Sequence, residues 1–121
     1  MLINMTPHAI VVFAADRTTV IATIPPSGVV ARVSQTQRAM APLSIDGHFV
    51  PLNKNTFGAV EGLPPVSPDG DEVYIVSALV LAALGGSRPD VVGPDSGPGA
   101  VRGAKGTPQA GQMLGCIGFV Q

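Results

Sequence analysis

The sequence predicts a mainly-β or α+β domain: a small curled sheet or barrel of about six or seven short strands with one short helix. Three observations predict it. β-branched runs bounded by Pro, Gly and Asp recur along the chain. A single Ala/Leu segment has helical composition. The 15 Gly and 12 Pro spread over 121 residues keep every regular element short. That length makes one domain, 1–121, with a Gly/Pro-rich loop expected at 87–112.

Taken in order, "HAIVVFAA" (His8–Ala15) is uninterrupted and β-branched, the pattern of a strand buried on both faces. "TTVIATI" (Thr18–Ile24) follows a turn at Asp16–Arg17 and alternates well enough to be its hairpin partner. Pro25 and Pro26 end that strand, because neither has an N–H for a ladder. "VVARVS" (Val29–Ser34) then puts Val29, Ala31 and Val33 on one face, with Val30 and Arg32 on the other. The pattern weakens from Gln35 to Asn55, where "HFVPL" reads as a short edge strand. "TFGAVEG" (Thr56–Gly62) is a further strand, with Gly58 marking a bulge. A Pro-Asp-Gly turn is expected at Pro68–Gly70. Val73–Val76 reads as strand and Ala78–Leu84 as helix, with Ser77 the N-cap and Gly85 the C-terminal stop. A last strand is expected around Cys116–Val120.

Composition narrows the function classes. Charged residues are 12% of the chain, about half the usual share of roughly 25%. A small domain so poor in charge has difficulty solvating its surface, which predicts burial against copies of itself in a homo-oligomer. The net charge is −1 and no Lys/Arg cluster occurs, which disfavours nucleic acid as a partner. One cysteine and two histidines make neither a disulfide nor a structural zinc site, so no metal or cofactor is expected. The N-terminus lacks a basic secretory n-region. The longest apolar run, Val73–Gly86, falls short of the roughly 20 residues of a membrane span. The expectation is a soluble, cytoplasmic protein with no membrane partner.

No catalytic signature occurs, whether nucleophile elbow, metal-binding His pair, Walker loop or dinucleotide fingerprint, and the protein is not expected to be an enzyme. Cys116 sits in an apolar strand and should behave as a small hydrophobe, and His48 as a surface loop residue. Candidate ligand contacts are of other kinds. His8 either fixes the start of its strand or faces a ligand. Arg32, inside an apolar strand, must end in solvent, on Asp90 or Asp95, or on a bound anion. Ser77 either caps its helix or, with the helix N-terminus, offers an anion handle. The stretch "SRPDVVGPDSGPGAVRGAKG" (Ser87–Gly106) combines five Gly with Arg88, Arg102 and Lys105, and with Asp90, Asp95 and Ser96. Glycine backbone can turn N–H groups toward one point, forming a nest for phosphate oxygens. The same stretch reads equally as a surface loop or an inter-subunit arm.

The motifs "NMTPHAI", "PPSGVVARV", "GAVEGLP", "YIVSALV", "RPDVVGPDSGP" and "GCIGFV" resemble, in order, those of a family of small bacteriophage and prophage proteins. Met5 stands where that pattern has Leu, and Pro89 lies inside the Arg/Asp motif. The resemblance implies Thr6, His8, Arg32, Ser77, Arg88 and Asp90 as site residues; the loop chemistry adds Asp95 and Arg102. By analogy with small phage anti-defence factors, it implies a non-enzymatic binder that sequesters a small phosphorylated, nucleotide-type immune signal in the host cytoplasm. The alternatives are an assembly protein using 87–106 as an arm, or an inhibitor of a host protein.

Overall fold

A computed structural model describes all residues from Met1 to Gln121. The chain is mostly β. Its strands are β1 (Leu2–Asn4), β2 (Ile10–Phe13), β3 (Val20–Ile24), β4 (Arg32–Ala39), β5 (Leu43–Ile45), β6 (His48–Val50), β7 (Asn53–Glu61), β8 (Val73–Ile75), β9 (Val91–Pro94), β10 (Ala100–Arg102), β11 (Met113–Cys116) and β12 (Phe119–Val120). One helix, α1 (Ala78–Leu84), follows β8 directly. Ser77 Oγ accepts the Val80 N–H at its start, and Gly85 stops it in the left-handed region at φ 58°. No helix is long and apolar enough to cross a membrane.

The strands form four small open sheets rather than a closed barrel. The central one has the order β1-β8-β9-β12; its first three strands are parallel, and β12 is antiparallel to β9. The second has the order β10-β11-β2-β3. The core lies on both faces of the central sheet, as the two-residue alternation of its strands requires. Tyr74, Val76 and Val91 face α1, Met5 and Ala31, with Val33 and Val60 packed alongside. Ile75 points the other way, to Ile10 and Cys116 of the second sheet, with Val12 and Met113 at its margin. The result is three layers: helix with ribbon base, central sheet, second sheet.

The remaining strands leave this body. β4 and β7 pair along their length, and β5 and β6 continue as a hairpin beyond them. Asp46 and Gly47, with φ of 49° and 78°, make the tip turn that Asp-Gly pairs favour. The register slips between Val33 and Gln35, so β7 carries its extra residue beside Gly58, the expected bulge. Every residue from Ser34 to Ala59 is exposed. The weak pattern read over Gln35–Asn55 is thus regular strand without a core face.

Three sequence expectations differ from the structure. The segment 87–112 is not one loop: it holds β9 and β10, and Val91 and Val101 are buried. Val91 and Val92 pair beside Tyr74 and Ile75, and that burial outweighs the Gly and Pro around them. The strand expected at Cys116–Val120 is two, β11 and β12, assigned to different sheets and joined through Ile117 and Gly118. The expected face Val29/Ala31/Val33 holds for Ala31 and Val33, whereas Val29 lies outside any strand and is exposed.

Candidate functional site

β1 and β8 end level, β9 runs two residues further, and each carries a hydroxyl two residues past its own end. Thr6 stands two residues past β1, Ser77 two past β8, and Ser96 two past β9. All three line one cleft of about 260 Å³, with His8, Ile10 and Met113 opposite. In α/β sheets this carboxyl edge is where ligands collect, because the connections there diverge and leave a crevice. A second cleft of about 260 Å³ shares His8, Ile10, Pro94 and Met113 and runs on toward Leu114 and Cys116. A third depression, about 360 Å³, opens from Pro94 and Ser96 along α1. Pro94 lies where the three meet. Together they offer a groove with a polar end and an apolar slot, the general form of a small-molecule site.

Asn4 sets the geometry of the polar end. It is almost fully buried. Its amide N–H groups donate to the His8 and Ile24 carbonyls at 2.8 and 3.0 Å, and its Oδ1 accepts from the Thr6 N–H at 2.9 Å and the Thr6 hydroxyl at 2.6 Å. One side chain therefore satisfies every turn of the chain from Thr6 to His8 and ties that loop to β3. The Thr6 hydroxyl also reaches the His8 carbonyl at 3.0 Å. The His8 ring is left exposed at the groove, with its backbone fixed. Asn4 was not among the residues singled out from the sequence. The signal was present in "NMTP", where Asn two residues before a Thr-Pro forms an Asx turn.

The structure thus brings Thr6, His8, Ser77 and Ser96 together, and places the expected Arg and Asp contacts outside the cleft lining. Arg88 and Asp90 stand before the opposite, amino end of β9. They form a bidentate pair at 2.8 and 2.9 Å with side chains only 18% and 11% exposed, and Arg88 also donates to the Pro64 carbonyl at 2.8 Å. The Arg88 guanidinium holds the Asp90 carboxyl below its usual range. This is a structural clasp: the Arg–Asp pairing expected of Arg32 is made by Arg88.

A nest of glycine amides does form in the 87–106 segment, and the protein fills it. The Asp95 carboxylate accepts from the Gly97 N–H at 2.9 Å and the Gly99 N–H at 3.0 Å. Arg102 donates to the Ser96 and Gly111 carbonyls, and Arg17 to those of Pro98 and Ala100. Arg102 from within and Arg17 from the β2–β3 turn bind this segment because a turning Gly/Pro backbone leaves carbonyls that no ladder uses. Arg32 differs. It pairs with no carboxylate and is exposed at the base of the ribbon, next to Ala31, whose N–H donates to the Met5 carbonyl at 3.0 Å. It stands across the ladder from Glu61, lines none of the three clefts, and is the one expected arginine whose side chain makes no hydrogen bond or ion pair in the chain. Cys116 is fully buried, and burial pushes its thiol up, as suits an inert core sulfur. His48 lies exposed on the ribbon tip. No protein-family model, curated protein or solved structure matches this chain.

Proposed function

We propose that the chain is a non-catalytic binder of a small phosphorylated, nucleotide-type ligand, held in the groove at the carboxyl ends of β1, β8 and β9. The observation that carries this reading is the convergence of Thr6, Ser77 and Ser96 beside His8 at one end of an apolar slot. Ser77 and Ser96 keep hydroxyl protons to donate to phosphate oxygens, Thr6 Oγ1 can accept from a sugar hydroxyl, and Ile10, Pro94 and Met113 suit a flat base. Arg32, which makes no ion pair within the chain, is the candidate countercharge, reaching in from outside the cleft lining. Arg88, Asp90, Asp95 and Arg102 act by shaping the fold. Sequestration fits better than turnover, since the groove holds one imidazole and no carboxylate or thiolate to work with it. In the phage setting that the resemblance implies, the ligand is a nucleotide-derived immune signal.

The test is a melting-shift and calorimetry panel of mononucleotides, dinucleotides and cyclic dinucleotides, each beside its nucleoside. A ligand at a hundred times its Kd should stabilise the fold by about 2.7 kcal/mol, on the order of 10 °C in Tm. Ser77→Ala and His8→Ala should each weaken binding about tenfold, and the ligand's mass should be unchanged after incubation. No shift with any phosphorylated member overturns the reading.

A second reading, an assembly protein, is favoured by the projecting ribbon. The arm in that case is residues 32–61 and not the 87–106 segment, which is bonded into the body. Large assemblies indifferent to every nucleotide would favour it.

A further inference from the structure

The body leaves one large element uncovered. Seven of the chain's exposed large hydrophobics lie on the ribbon 32–61: Met40, Leu43, Ile45, Phe49, Val50, Leu52 and Phe57. At the tip they occupy both faces, since Leu43 faces Val50 and Ile45 faces His48 on one side while Phe49, opposite Ser44, points to the other. Along the shaft, Arg38 and Lys54 are direct cross-strand partners, both exposed, with no carboxylate paired to either. Like charges placed opposite each other destabilise a ribbon unless an anion lies over them. Charge is divided to match: the ribbon is net +1, and the rest of the chain, from a total of −1, is net −2.

The accessible surface is 7833 Å², about 1,700 Å² above the roughly 6,100 Å² of a compact monomer of this mass. A standard interface removes about 800 Å² from each partner. The excess is enough for a chain to offer both a ribbon and a surface that receives one. The receiving surface is on the body. β3 is the outer strand of the second sheet, so one of its edges is unpaired, and it exposes Val20 at 52% and Ile21 at 65%. The turn before it carries Asp16, whose carboxylate accepts from the Thr19 hydroxyl and the Thr18 and Thr19 amides. Those bonds, the Thr19 hydroxyl foremost, hold its carboxyl down to about 2, so it is anionic at neutral pH.

We propose that the ribbon 32–61 of one copy lies along the β3 edge of a second copy, each covering the other in a two-fold exchange. A second copy is the occupant because ribbon and receiving edge are in the same chain, and reciprocal pairing covers both exposed sets at once. The ligand in the groove plays no part in this.

Sedimentation equilibrium and native mass spectrometry of the full chain, from about 1 to 100 µM, test it. The natural chain should be a dimer or a closed multiple of one. The double substitution Ile45→Ser with Phe49→Ser should weaken association at least tenfold, and so should Ile21→Lys on the receiving edge. Leu79→Ser, exposed on α1, should leave it unchanged. Far-ultraviolet circular dichroism of each variant should match the natural chain, because Phe49, Ile45 and Ile21 lie outside both core clusters. A monomer at 100 µM overturns the proposal and leaves the ribbon to a different protein. So does an assembly that survives either the ribbon pair or Ile21→Lys in folded protein.

Discussion

The ribbon 32–61 and the segment 87–106 invert the usual link between regular structure and burial. The ribbon is the longest ladder in the molecule, yet everything from Ser34 to Ala59 is exposed. The Gly/Pro-rich segment is short of ladder, yet it buries Val91 and Val101 and bonds its own charged groups. The difference teaches that backbone pairing and a core are separate requirements. A two-stranded ribbon in water is marginal by itself. This one is held by its tip turn and cross-strand contacts such as Thr36 Oγ1 to Thr56 Oγ1 at 2.6 Å. The segment is held by tertiary contacts, so substitutions there should cost stability, and substitutions in the exposed part of the ribbon, Ser34–Ala59, should not.

The largest expected effect lies where polar burial is most complete, at Asn4 on the end of β1, against which both regions can be gauged. Asn4→Asp sets a carboxylate against the His8 and Ile24 carbonyls that now receive N–H groups. The loss should be about 4 kcal/mol or more near neutral pH. Protonation restores a donor, so the variant's native form takes up protons more readily than its unfolded form. Its deficit should shrink as pH falls toward 4, in urea titrations at several pH values. A deficit independent of pH would remove the donor argument.

Within the segment, Asp90→Ala leaves the Arg88 guanidinium without its carboxylate in a mostly buried place, and should cost about 2–3 kcal/mol. Because Arg88 depresses the native Asp90 carboxyl, the pair's contribution is present above the ordinary carboxylate value and is lost as pH falls through the native one. The gap between natural chain and variant should therefore close in acid, below about pH 4. Asp95→Ala should come next, at about 1–2 kcal/mol, since it uncovers the Gly97 and Gly99 amides, the latter buried. Faster hydrogen exchange at those two amides should accompany it. Equal costs for ribbon and segment substitutions would break the comparison.

How much of this was legible follows the same division. Helix α1 was read to the residue because Ala/Leu composition, a Ser cap and a Gly stop are all local signals. The bulge at Gly58 and the turn at Gly70, whose N–H reaches the Ser67 carbonyl, were legible for the same reason. β9 was hidden because two buried valines among Gly and Pro look like loop until a neighbouring strand is known. β4 and β7 were cut short because "SQTQ" and "NKNT" lack the alternation that a core imposes, and this ribbon has no core. His8 and Ser77 were legible as candidates because each marks the start of an element, whereas Thr6 came only from the resemblance. The arginines misled because charge alone does not say whether a protein's own carbonyls have already claimed it.

The smallest expected effect is the sharpest test of the comparison, and concentration is the variable that reveals it. Phe49 is 79% exposed and touches neither core cluster. Phe49→Ser should therefore change unfolding free energy by less than about 0.5 kcal/mol wherever the chain is monomeric. If a second copy covers the ribbon, stability becomes linked to association by mass action, and the natural chain's Tm should rise with concentration while the variant's should not. Melting both at about 1 µM and 100 µM separates the two terms: near-identity at the lower, divergence at the higher. A Phe49→Ser chain already less stable by a kcal/mol or more at the lower concentration would mean that the ribbon packs on its own body, and the contrast between the two regions would fail.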